Sequence, residues 1–159
     1  MHATTFAELI SEIATLLQIA PPAPAAASLQ LIVDEMPVTL MDNGAVQPDS
    51  VLFVCNFGPI PPGPQRADIL QDLLQSNLHT VSAGAPTFCL NPDNSHALFI
   101  GKLAIAHTSV HRMLRALTEF AKEARTWRSN CQSDTTNTQR ALPARQHTLL
   151  HLAQSAKPT

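Results

Sequence analysis

A chain of 159 residues that is 45% hydrophobic, 14% charged and 4% aromatic can bury about two-thirds of its surface in one domain. This excludes disorder throughout, and the lack of any recurring period excludes collagen-like and repeat architectures. The net charge of -2 hides an asymmetry: residues 1–65 carry Glu8, Glu12, Asp34, Glu35, Asp42 and Asp49 with no Lys or Arg, whereas residues 102–159 hold Lys102, Arg112, Arg115, Lys122, Arg125, Arg128, Arg140, Arg145 and Lys157. A molecule polar from end to end points to a partner without naming it.

Thr5-x-x-Glu8 has the capping-box form, and Phe6, Leu9, Ile10, Ile13, Leu16 and Leu17 recur on one helical face. This first helix ends before Pro21-Pro22. The apolar run from Leu9 to Ala27 lacks the basic start of a signal peptide and is broken by Glu12, Gln18 and prolines, so neither export nor a membrane span is expected. Pro21 to Ala27 is an extended connector. Leu29, Leu31 and Val33 then alternate with Gln30, Ile32 and Asp34; Val38–Met41 and Val51–Phe57 follow, separated by the turn residues Asp42-Asn43-Gly44. Three antiparallel strands are expected. Pro64 suits the first position of a second helix, which carries Ile69, Leu70, Leu73 and Leu74 and closes near Asn77, a left-handed cap. Thr87–Leu90 and Ala97–Ile100 flank Asn91-Pro92-Asp93-Asn94-Ser95 as a hairpin. After Gly101, Thr108 or Ser109 caps a long third helix with Val110, Met113, Leu114, Leu117, Phe120, Ala121, Ala124 and Trp127 on one face. Residues 1–130 make the domain. Residues 131–159 make a flexible tail, with a short helix left undetermined over 144–153.

Several side-chain groups suggest chemistry and fall short of it. Cys55, Cys89 and Cys131 have no CxxC spacing; Cys55 and Cys89 lie on apolar strand segments and read as small core residues in a reducing compartment. Cys55 with His79 or His96 would make a nucleophile and base, but the thiol sits between apolar neighbours rather than in an electropositive, accessible place. The pairs His107/His111 and His147/His151 have helical spacing without a third ligand, so no metal is expected, and no glycine-rich phosphate loop points to a cofactor. The basic third helix lacks aromatics for stacking bases, and Glu119 between Arg115 and Lys122 suits ion pairs along the helix, so no nucleic acid is expected. A catalytic role is not expected.

Phe6-x-x-Leu9-Ile10, the run Val51–Asn56 followed by Gly58-x-x-Pro61, Ile69-Leu70-x-x-Leu73-Leu74-x-x-Asn77, Cys89-Leu90-Asn91-Pro92-Asp93-Asn94 with Ala97-Leu98-Phe99, and Leu114-x-x-Leu117-x-x-Phe120 with Ala124 and Trp127 come in a telling order. In that order and spacing, over about residues 4–128, the chain resembles the class I chaperones of bacterial type III secretion, the Tir-chaperone family. The Pro/Ala connector and the tail suggest a subtype, the broad-specificity export-control chaperones. The resemblance implies an α+β homodimer in the bacterial cytoplasm. It would bind the N-terminal segment of one or more effectors, keep it non-globular and deliver it to the secretion apparatus, whose ATPase would be a further partner. It implies client binding near the amino end, placed here at Leu16, Ile19, Leu29, Leu31 and Val33 beside Asp34 and Glu35, which favour clients with basic flanks. It also implies a dimer interface at Leu70, Leu73, Leu74, Phe99 and Ile100. A dimeric adaptor or regulator outside secretion is the alternative.

Overall fold

The computed structural model describes residues 5–23, 25–79, 85–105 and 109–133. Within them the chain forms α1 (Phe6–Leu17), β1 (Ser28–Val33), β2 (Met36–Asp42), β3 (Ser50–Pro59), α2 (Arg66–His79), β4 (Thr87–Leu90), β5 (His96–Ala104) and α3 (Val110–Ser133). This is the α+β order expected from the sequence. The strands form an antiparallel sheet in the order β1-β2-β3-β5-β4.

Local chemistry explains the helix ends. The Thr5 hydroxyl accepts from the Glu8 N–H at 3.2 Å while Glu8 accepts from the Thr5 N–H at 3.3 Å, a capping box that opens α1. At the other end Gln18 is left-handed (φ 54°) and the Ile19 N–H reaches the Ala14 carbonyl at 3.0 Å, so the helix stops ahead of the prolines. The Ser109 hydroxyl accepts from the Arg112 N–H at 3.3 Å and starts α3. Thr108, the other cap considered, and His107 lie outside the described residues, as do His147, His151 and the helix considered over 144–153.

Strand alternation divides the sheet into two faces. The row Leu31, Val38, Cys55, Phe99 and Phe88 crosses all five strands by direct pairing and is buried throughout. Facing it are Phe6, Leu9, Ile10 and Ile13 of α1 and Met113, Leu117, Phe120 and Ala124 of α3. Five of the six phenylalanines and Trp127 join in one aromatic cluster here; Phe53 stacks on Phe120 with centroids 5.2 Å apart, and Phe88 meets Phe99 at 4.8 Å. Offset and edge contacts of this kind add about 0.5–1.5 kcal/mol each beyond the burial itself.

Four expectations are corrected. Gly101 does not end β5, which runs on to Ala104; a Cβ at Gly101 would lie 2.6 Å from the Phe53 ring on the paired strand, so the glycine makes room for an aromatic. Asn77 is not a cap but an interior residue of α2, because its side chain is engaged by β4. Helix α3 continues to Ser133 and buries Cys131, so residues 131–133 are helical where a linker was expected. Cys89 is exposed, because alternation turns it away from the core that its neighbour Phe88 enters.

Candidate functional site: an open strand edge

The sheet has two edge strands, and they are treated differently. Along β4, the Asn77 side-chain amide donates to the Phe88 carbonyl at 2.9 Å and accepts from the Phe88 N–H at 2.6 Å. One side chain thus occupies the outward-facing main-chain groups of Phe88, as a neighbouring strand would. Along β1, the Asp42 N–H donates to the Ala27 carbonyl at 2.9 Å, and the register continues as Leu29 with Leu40 and Leu31 with Val38. The alternation of an antiparallel ladder then turns the N–H and C=O groups of Ser28, Gln30 and Ile32 away from β2. No strand among the described residues pairs with that side.

The strand β1 itself carries an exposed apolar side chain and ends in an acidic turn, and exposed aliphatic side chains also occur on α1. Ile32 is 76% exposed, and Leu16, Leu17 and Ile19 at the end of α1 are 41–43% exposed. The β1–β2 connection is a two-residue turn in which Asp34 (φ 48°) and Glu35 (φ 66°) are both left-handed, the geometry of a type I′ hairpin usually built with Asn-Gly or Asp-Gly. Arg125 of α3 lies 3.1 Å from Asp34 Oδ1, whereas Asp34 Oδ2 is buried without a hydrogen-bond partner among the described residues. Glu8 and Glu35 are exposed.

A second apolar region lies on the sheet face away from α1 and α3. There Leu52, Val54, Leu98 and Ile100 are half-buried, and Val54 and Ile100 are direct partners. Helix α2 packs against β4, with Leu70 and Leu73 half-buried and Leu74 and Leu78 exposed at 68% and 71%.

In a third place, a cleft of about 470 Å³ between Phe6, Ala26, Asp42, Ser50 and Ile105, the Asp42 and Ser50 side chains are engaged by local structure. Asp42 accepts from the Gly44 N–H at 2.9 Å, and Ser50 donates to the Gln47 carbonyl and accepts from Asn43. The thiol of Cys55 is buried, which pushes its pKa up to about 12 against a small opposing effect of Arg128. His96 Nδ1 lies 3.1 Å from Asn56 Oδ1 instead of approaching that thiol. His111 is exposed on α3. On the basic helix Lys122 pairs with Glu119 at 2.9 Å, and Arg128 donates to the Asn56 and Phe57 carbonyls at 3.3 Å each. Those two side chains and Arg125 are therefore committed within the fold. What remains chemically available is an unpaired row of main-chain groups on β1 with the exposed Ile32 among them.

Residues 8–128 match the Tir chaperone protein (CesT) family. The chain belongs to that family. It is a type III secretion chaperone, and its fold agrees with solved relatives. Against the structure of the ExsC–ExsE complex the TM-score is 0.65 at 17% identity, covering 81% of this chain and 96% of that one. For the HopA1–SchA chaperone–effector complex the values are 0.56, 20%, 76% and 91%. For the ExoU–SpcU heterodimer from the type III secretion system of Pseudomonas aeruginosa they are 0.55, 16%, 76% and 95%. The sequence matches no curated protein. No helix among the chaperone's described residues is long and apolar enough to cross a membrane.

The chaperone's expected site residues divide by alternation. Leu16 and Ile19 are exposed, and Leu29 and Val33 are half-buried against the core. Leu31 is 6% exposed and Phe99 1%; both side chains point into the core, so neither offers a surface in the single chain and both are withdrawn from the site. Ile100, one residue on from Phe99, lies on the outer face, and Leu70, Leu73 and Leu74 lie on α2. Ile32, Leu78 and Leu98 were missed. For Ile32 and Leu98 the signal was available: each alternates with a core residue and is aliphatic where a solvated face would be polar.

Proposed function

We propose that the chaperone works as a homodimer in the bacterial cytoplasm and adds an extended N-terminal segment of a type III effector to its sheet as a further strand along β1. The contrast between the two edges carries this reading: on β4 Asn77 occupies the outward main-chain groups of Phe88 and α2 packs alongside, whereas the outward groups of Ser28, Gln30 and Ile32 on β1 face no strand among the described residues. Main-chain bonds of this kind contribute about 1 kcal/mol each and do not depend on client sequence. Burying an exposed leucine or isoleucine such as Leu16, Ile19 or Ile32 adds about 1.5–3 kcal/mol. Together they offset the cost of ordering a flexible segment, which neither does alone. The tolerance for client sequence suits the broad-specificity subtype that serves several effectors. Glu8 and Glu35 favour clients with basic flanks.

The dimer surface combines Leu70, Leu73, Leu74 and Leu78 of α2 with Leu98 and Ile100 of β5. An aliphatic surface this extensive is costly to leave in water and suits a closed two-fold interface. The chaperone itself forms and breaks no covalent bond; delivery and ATP hydrolysis belong to the secretion apparatus and its ATPase. Support for the partner class comes from the solved relatives, one of which is described as a chaperone–effector complex.

Co-expression with effector N-terminal fragments tests the reading. Leu16→Asp and Ile32→Asp should lose the fragment while remaining dimeric, and Leu74→Asp should become monomeric. Capture that survives both edge substitutions, or capture of a folded regulator in place of the fragments, would contradict it.

A further inference from the structure

We propose that a second copy of this chain pairs with the first along β1, antiparallel and symmetric about Gln30, when no client lies there; this rests on the same open edge as the strand-addition reading above and requires no effector. The sequence of β1, Ser-Leu-Gln-Leu-Ile-Val, has no charged residue, no proline and no glycine. A short uncharged segment of high β-propensity on an exposed edge is the kind that pairs with copies of itself. Edge strands are usually guarded against this by a lysine, a proline, a bulge or a covering element. Residues 1–65 contain no Lys or Arg, β1 pairs with β2 from Ser28 to Val33 without a bulge, and no described strand lies on its other side. On β4, Asn77 at Phe88 and the packing of α2 supply such a guard.

The edge is also complementary to itself. The N–H and C=O groups that point away from β2 belong to Ser28, Gln30 and Ile32. With Gln30 opposite Gln30 of the second copy, Ser28 falls opposite its Ile32, and each of these groups meets a donor or an acceptor. The next register that keeps outward groups face to face leaves Ser28 or Ile32 opposite residues outside the strand. On the outer face the exposed Ile32 then lies beside Ser28 of the second copy, and the Gln30 amides, each both donor and acceptor, face one another. On the core face the half-buried Leu29 lies beside Leu31 of the second copy and the half-buried Val33 beside its Ala27, which covers apolar surface at the end of the core. Charge selects the direction. Antiparallel pairing sets Asp34 and Glu35 against Ala26 and Ala25 of the second copy, whereas parallel pairing would bring the two acidic turns side by side. A strand of 6 residues a side is small against the roughly 1,200–2,000 Å² that stable interfaces bury. The contact therefore forms at high chaperone concentration and yields to a segment that binds more tightly.

Sedimentation and amide exchange of the full-length protein test this without any effector. With rising concentration the unaltered chain should form a heavier species than at high dilution, and exchange at Ser28, Gln30 and Ile32 should slow about tenfold while exchange at 53–57 stays constant. Gln30→Lys and Gln30→Glu should each hold the protein in the lighter form, because each places like charges opposite one another. An equimolar mixture of the two should restore both the heavier species and the protection, less so in high salt. The Gln30 side chain is exposed and its main-chain groups take no part in pairing with β2, so both variants keep the fold, which exchange at 53–57 checks. Sedimentation and exchange that do not change with concentration overturn the proposal. So does a heavier species that both variants form as readily as the unaltered chain, and so does a mixture that fails to restore the pairing. An effector N-terminal fragment should dissolve the heavier species; a protein that pairs as described yet captures no such fragment would sink the effector reading while leaving this contact standing.

Discussion

Arg128 joins two otherwise separate features of β3. Pro37 has no N–H to offer, and pairing between β2 and β3 ends at Val38 with Cys55. Just beyond, the register of β3 shifts at Asn56 and Gly58, and the carbonyls of Asn56 and Phe57 are taken by the Arg128 guanidinium. Gly58 has φ 102°, and a Cβ there would lie 2.8 Å from Arg128 Nε. Arg128→Ala should therefore cost about 1.5–3 kcal/mol in urea unfolding. Gly58→Ala should cost at least as much, and the pair should be far from additive, because each change already breaks the same contact. Cys55 gives a pH signature. Its folded pKa of about 12 lies above the ordinary 9.0, so the unfolded chain loses the thiol proton first. The thiol's contribution is constant below pH 9, and stability falls by up to about 1.4 kcal/mol per pH unit as pH rises from there toward 12. Cys55→Val should lose that share of the slope when unfolding is compared at pH 8 and pH 10.5.

Among the elements, the β1–β2 turn is built against local preference. Asp34 tolerates a left-handed backbone, but Glu35 at φ 66° does not. Glu35→Gly should raise stability by about 1 kcal/mol in thermal unfolding, since Asp-Gly is the pair this turn favours. The α2–β4 contact works the other way: Asn77→Leu would strip both main-chain groups of Phe88 of their partners and should cost about 2 kcal/mol. Helices α1 and α3 were legible because caps and three-to-four spacing coincide with a single buried face. The end of β5 was not, because Gly101 reads as a terminator until the Phe53 ring that it accommodates is placed beside it. Asn77 failed for the same kind of reason: its partner is 11 residues away on another element, and nothing in the helix itself announces it.

At the scale of the molecule, the six-acid, base-free first 65 residues contain β1, the strand with one side that no described strand pairs. What one chain's sequence could not separate was which aliphatic residues face inward, since Leu31 and Ile32, or Phe99 and Ile100, are neighbours of similar hydropathy and opposite burial. A Leu74→Asp/Leu78→Asp variant should sediment as a monomer at concentrations where the unaltered protein is a dimer, because it places charges on the exposed face of α2. The most direct measurement of the central claim is amide exchange of the chaperone with and without a saturating effector N-terminal fragment. New protection at Ser28, Gln30 and Ile32 is the expected result, through hydrogen bonds that only an added strand can supply. Protection confined to β4 and α2, with β1 unchanged, would contradict it.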